Sequence, residues 1–92
     1  MQSEMAETRA LEVLGWLLSD RDLTRVFLGA SGLAPEALSA RAAEPEVLAS
    51  VLDFVLMDDR WVIGCATALG WPPERVLAVR TGLPGGDSPA WT

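Results

Sequence analysis

The side chains with chemical reach in this sequence are carboxylates, arginines, hydroxyls and one thiol. Histidine, lysine, tyrosine and asparagine do not occur, which removes the commonest general bases, Schiff-base amines and imidazole metal ligands. Any catalysis would have to run on carboxylates, guanidinium groups, hydroxyls or Cys65. Asp53 is the foremost acidic candidate, because it interrupts the apolar stretch Val51-Leu52-Asp53-Phe54-Val55-Leu56. Asp58 and Asp59 follow just beyond the same helical run, and three such carboxylates are the raw material of a hard-cation site. Helical spacing favours a simpler reading. At about 100° per residue, Leu48, Val51, Leu52 and Val55 share one face, whereas Asp53 falls with Glu46 and Ala49 on another. Asp53 is therefore expected on a solvated edge. The spacing matches no loop that would supply the roughly six to eight oxygens calcium takes, so no metal is assigned.

Cys65 has no second cysteine to pair with, and without a histidine base it is expected to act as a small buried hydrophobe. Arg21 and Arg25 stand four apart and so share a helix face. With Arg41, Arg60, Arg75 and Arg80 they make a set able to hold a phosphate or an acidic peptide. Solvated pairing with Asp22, Asp59 or Glu74 is the plainer expectation in an acidic chain. Of the four tryptophans, Trp71 follows Gly70 and should plug the interior, while Trp91 is the residue that would dock a C-terminal tail. Trp16 lies off the centre of the first helix's apolar stripe and Trp61 stands at the start of the helix that begins at Asp58, so half exposure is the expectation for either. Together with Arg21, Arg25 and Asp53 they form the candidate interaction surface.

The elements that must position these groups are all helical. Ala6, Ala10, Val13, Leu14, Leu17 and Leu18 recur at spacings of three and four, predicting a helix from Glu4 to Leu18. Asp20 can cap a second helix running through Leu23, Val26, Phe27 and Ala30 to Gly32. Pro35 then suits the first turn of a short third helix ending near Ala43. Shifting the chain by 38 positions repeats this programme. Over residues 11–40 nine pairs are identical, among them Leu14 with Leu52, Asp20 with Asp58, Gly32 with Gly70 and Pro35 with Pro73. Composition alone would give about three.

The second unit is accordingly predicted as helices from Pro45 to Met57, from Asp58 to about Leu69 and from Pro73 to Thr81. Gly82 and Leu83 repeat the helix-ending pair, and Pro84 stops continuation. The expected fold is all-α, a compact array of about six short helices built from two tandem three-helix repeats. They form a single domain over residues 1–83, with repeats at about 4–42 and 43–81 and an irregular tail over 84–92. Gly32, Pro35, Gly70, Pro73 and Gly82 are its structural punctuation.

The segments Phe27 to Leu38 (FLGASGLAPEAL), Val51 to Asp59 (VLDFVLMDD) and Gly70 to Gly85 (GWPPERVLAVRTGLPG) resemble a family of short alphaproteobacterial proteins, a domain of unknown function. The likeness covers most of the chain. It implies a bacterial cytoplasmic protein without an assigned activity and transfers no catalytic residues.

Half of the residues are apolar and 22% are charged, the balance of an ordinary globular domain. The net charge of −6 opposes a nucleic-acid partner and anionic lipid. No apolar run approaches the ~20 residues needed to span a bilayer. The acidic start, with Glu4, Glu7 and Glu12 against Arg9, has the wrong sign for a secretion signal, so a cytoplasmic location is expected. The leading functional expectation is a non-enzymatic protein-interaction or self-associating helical module without a cofactor. The alternative is a small anionic-ligand binder using the arginines and the helix starts at Pro35, Pro45 and Pro73. A carboxylate enzyme built on Asp53, Asp58 and Asp59 ranks last.

Overall fold

A computed structural model describes residues 1–85, and these hold six α-helices and no strand. They are α1 (Ser3–Leu18), α2 (Arg21–Ser31), α3 (Pro35–Arg41), α4 (Pro45–Val55), α5 (Asp59–Leu69) and α6 (Glu74–Thr81). Residues 86–92, including Trp91 and most of the expected tail, lie outside the described residues.

Local chemistry sets most of the boundaries. The Asp20 carboxylate accepts from the Leu23 N–H at 3.0 Å, and the Asp58 carboxylate from the Arg60 N–H at 2.8 Å, so both helices begin on a side-chain cap. Gly32 and Gly70 close α2 and α5 at φ of 75° and 72°, a left-handed turn that costs a side chain with a Cβ strain. Pro35 and Pro45 occupy first turns, where their missing N–H loses nothing.

Three expected details differ. Pro73 precedes the first residue of α6 instead of lying within it. Gly82 has φ −82° and is not left-handed. Its requirement is space, because a Cβ there would stand 2.7 Å from the Ala6 Cβ and 3.0 Å from the Met1 carbonyl oxygen. The third concerns two side chains expected on buried stripes. Leu18 is 49% exposed and Val26 52% exposed, because the neighbouring helices do not close over the end of α1 or the outer face of α2.

The core forms where α1 lies along α4. Helix α4 buries Val47, Leu48, Val51, Leu52, Phe54 and Val55, a nearly all-round apolar surface that only a central helix can satisfy. Each such side chain contributes about 1.5–3 kcal/mol on burial. Helix α2 packs on α1 and α4, α5 packs on the same two helices, and α6 rests against α1, α4 and α5. Helix α3 is peripheral and buries only Leu38. The two halves thus share caps, but their third helices are placed differently. Among the described residues, no helix is long and apolar enough to cross a membrane.

Candidate functional site: an apolar groove between the first three helices

Asp53 is exposed at the edge of α4, where its carboxylate takes the Arg80 guanidinium at 2.6 Å through Nε and 3.4 Å through Nη2. Arg80 also donates from Nη1 to the Pro84 carbonyl oxygen at 2.9 Å. One guanidinium therefore ties α4, the end of α6 and the chain beyond it. The Arg80 side chain is 16% exposed and that of Asp53 61%, so the arginine, its stem packed along the protein, is the anchored partner. This pairing spans 27 residues of sequence and has no local signal.

Asp58 is committed to its own helix start and to Arg60, whose Nη2 lies 2.8 Å from its carboxylate. The hydrogen bond from the Arg60 side chain, joined by that from the Arg60 backbone N–H, holds the Asp58 carboxyl below its ordinary range. Among the described residues, no three carboxylate or thiol side chains come together in a way that would hold a metal ion. Cys65 is fully buried, and burial pushes its thiol up to about 11.

Trp16 and Trp61 are half-buried and packed against the core of their own chain. Trp16 lies over α5 at Gly64, where a Cβ would meet its indole at 3.5 Å. Trp61 stacks on Phe54 with centroids 4.5 Å apart, and Phe54 meets Phe27 edge-on at 5.3 Å. This aromatic column joins α2, α4 and α5. Trp71 is buried, with the Arg75 guanidinium 5.8 Å from its ring centroid.

Two concavities open on the surface. A groove of about 320 Å³ opens between α1, α2 and α3, floored and rimmed by Leu14, Leu18, Leu28, Pro35, Leu38 and Ala42. Thr24 and Ser39 supply its polar edge. The Thr24 hydroxyl is within 2.8 Å of the carbonyl oxygens of Leu17 and Asp20 and so belongs to the α1–α2 corner. A shallower hollow of about 230 Å³ lies between α2 and α4, with Phe27 and Phe54 at its base and Asp53 at its rim.

Arg21 and Arg25 are exposed on the α2 face that carries Thr24 and Leu28, at spacings of three, four and seven along that face. Five other arginines have partners: Arg9 with Glu12, Arg41 with Glu44, Arg60 with Asp58, Arg80 with Asp53, and Arg75 over Trp71. Among the described residues, Arg21 and Arg25 pair with no carboxylate. The groove is thus apolar with a Thr24–Ser39 edge, the two arginines stand on the flank of α2 outside its lining, and no nucleophile and base are assembled in it. Of these residues, the arginines were legible as a candidate surface. The lining was not, because Leu14 and Leu18 read as positions on the first helix's apolar stripe and nothing in the sequence sets Leu28 or Leu38 apart.

Comparison with curated proteins and with solved structures gives no match. The family comparison does: residues 3–86, which cover every helix described above, match a family model, and the chain belongs to the family described as protein of unknown function (DUF3572).

Proposed function

We propose that this protein is a non-enzymatic interaction module that engages another polypeptide through the face formed by α1, α2 and α3. The observation that carries this reading is the open groove of Leu14, Leu18, Leu28 and Leu38, with Leu18 half exposed at its rim. Apolar surface left open between helices is the recognition element of helix-in-groove binding. The reading is tested by photo-cross-linking in the host cell. A photoreactive residue at Leu18 or Ser39 is expected to capture a discrete protein, which includes a second copy of the chain, whereas one at Thr67 on α5 captures none. Absence of any cross-link from both groove positions would overturn it.

A second reading, binding of a small anion, is favoured by Arg21 and Arg25 lying four apart without a described carboxylate partner. It predicts thermal stabilisation by phosphate or dicarboxylates that is lost in Arg21→Ala/Arg25→Ala. We further propose a cytoplasmic location, supported by the acidic composition and the single cysteine, in an alphaproteobacterial cell, which is what the resemblance of Phe27–Leu38, Val51–Asp59 and Gly70–Gly85 implies. Descent of the two halves from one duplicated three-helix unit is supported by the nine identities and the shared caps.

A further inference from the structure

An exposed ridge runs the length of α1, with Met5 exposed to one side of it. Glu4, Thr8, Leu11, Gly15 and Leu18 are all exposed and recur at spacings of four and three, diametrically opposite Ala6, Ala10, Val13 and Leu17, which are fully buried. The C-terminal half of this ridge is apolar, with Leu11 at 44% and Leu18 at 49% exposure flanking Gly15, whose missing side chain faces open space. The N-terminal half is acidic, carrying Glu4 with Glu7 beside it; neither forms an ion pair with a described residue. Past the C-terminal end of the ridge stand Arg21 and Arg25.

Those two arginines make no ion pair within the described residues. Arg21 is the first residue of α2, where the helix dipole disfavours a cation, and Arg25 adds a like charge four residues on; Asp20 at the cap and Asp22 in the first turn offset this only through the helix's own field, without pairing either arginine. The absence of a described carboxylate partner leaves both guanidinium groups open to a carboxylate from outside the chain. The ridge itself supplies the complement. If two copies of α1 cross antiparallel at Gly15, Leu11 of each falls against Leu18 of the other. The glycines then allow close approach. The acidic start of each α1 lies toward the other copy's α1–α2 corner, where Arg21 and Arg25 project. Because a two-fold axis of this kind keeps like sides together, Glu4 and Glu7 meet the arginine side of the partner and not its back.

We propose that the partner of this face is a second copy of the chain, bound as an antiparallel α1–α1 pair centred on Gly15 and closed by Glu4 and Glu7 against Arg21 and Arg25. This rests on the interaction reading above and names its occupant. The groove of Leu14, Leu18, Leu28 and Leu38 borders the pair, and its Leu18 rim is covered. One helix pair buries near or below the ~1,200 Å² at the low end of stable complexes, which sets the test in the micromolar range.

The experiment is sedimentation velocity on the full chain from about 5 to 500 µM, with circular dichroism as the folding control. The expected result is a concentration-dependent doubling of mass that weakens with salt. Gly15→Glu keeps the helical signal and removes the dimer, since Gly15 touches nothing in its own chain. Arg21→Glu/Arg25→Glu weakens association at least tenfold, and adding Glu4→Arg/Glu7→Arg to the same chain restores it. A monomer at every concentration, a dimer indifferent to Gly15→Glu, or failure of the double reversal to restore association would each overturn the pairing. If the purified chain is a monomer while Leu18 still cross-links a different protein in the cell, the interaction reading stands and self-pairing falls.

Discussion

Arg80 and Asp53 exchange the roles that sequence alone assigns them. Asp53 draws notice as a carboxylate in an apolar run, yet the better-anchored member of the pair is Arg80, which also holds the Pro84 carbonyl. Removing the arginine therefore breaks three hydrogen bonds and exposes surface under its stem, and Arg80→Ala should cost about 1–2 kcal/mol. Asp53→Asn leaves an exposed amide in place of an exposed carboxylate, and should cost less than ~1 kcal/mol. Urea midpoints of the two variants check the order, and an equal or reversed cost would mean that the carboxylate is the anchor. Asp58 gives a pH test at the same scale. Its folded carboxyl is held below the unfolded value by Arg60, so its contribution is complete above the ordinary carboxylate pKa and fades as pH falls through the lowered folded value. Asp58→Asn keeps a capping oxygen but has no proton to take up. Its stability should fall less steeply than that of the parent chain on acidification below about pH 4. Urea midpoints measured between pH 5 and pH 2 decide this, and parallel acid limbs would sink it.

At the scale of elements, the starts and stops of helices were legible because they depend on neighbours in sequence. Asp20, Gly32, Pro35, Pro45, Asp58 and Gly70 each act within four residues of themselves. Gly82 fails by the same logic, since its constraint comes from Ala6 and Met1 on another element. Asparagine separates the two kinds of glycine. It tolerates the left-handed conformation better than alanine does, so Gly32→Asn and Gly70→Asn should be milder than the corresponding alanine variants, which cost about 1 kcal/mol. At Gly82 the order inverts, because the larger side chain meets the Ala6 methyl group in less space, and Gly82→Asn should be the more damaging. Thermal midpoints of the six variants read this directly. Exposure of Leu18 and Val26 was not legible either. Periodicity tells which residues share a face but not where neighbouring helices end, and the groove exists only because α3 stays at the edge.

For the whole molecule the question is whether the helices melt as one body, and Cys65, the one cysteine of the chain, reports on it without an engineered residue. Its aligned counterpart in the first half, Phe27, is also buried, and both belong to the one continuous core. The cysteine thiol is inaccessible when folded, and burial pushes it up to about 11 from an ordinary value near 9.0. An alkylating reagent can therefore reach a thiolate only when the core opens. In a cooperative domain that opening is global unfolding, and labelling of the native chain at pH 8 should be slowed relative to the unfolded chain by the folding equilibrium constant, on the order of 10³ or more. Added urea should raise the labelling rate with the slope of the equilibrium unfolding curve. The same burial fixes the sign of the alkaline response. Between pH about 9 and about 11 the unfolded chain loses the thiol proton while the folded chain keeps it, so stability declines as pH rises, and Cys65→Ala should flatten that decline. Labelling insensitive to urea, with an unchanged alkaline limb in Cys65→Ala, would mean that α5 opens on its own and that the six helices do not share one cooperative core.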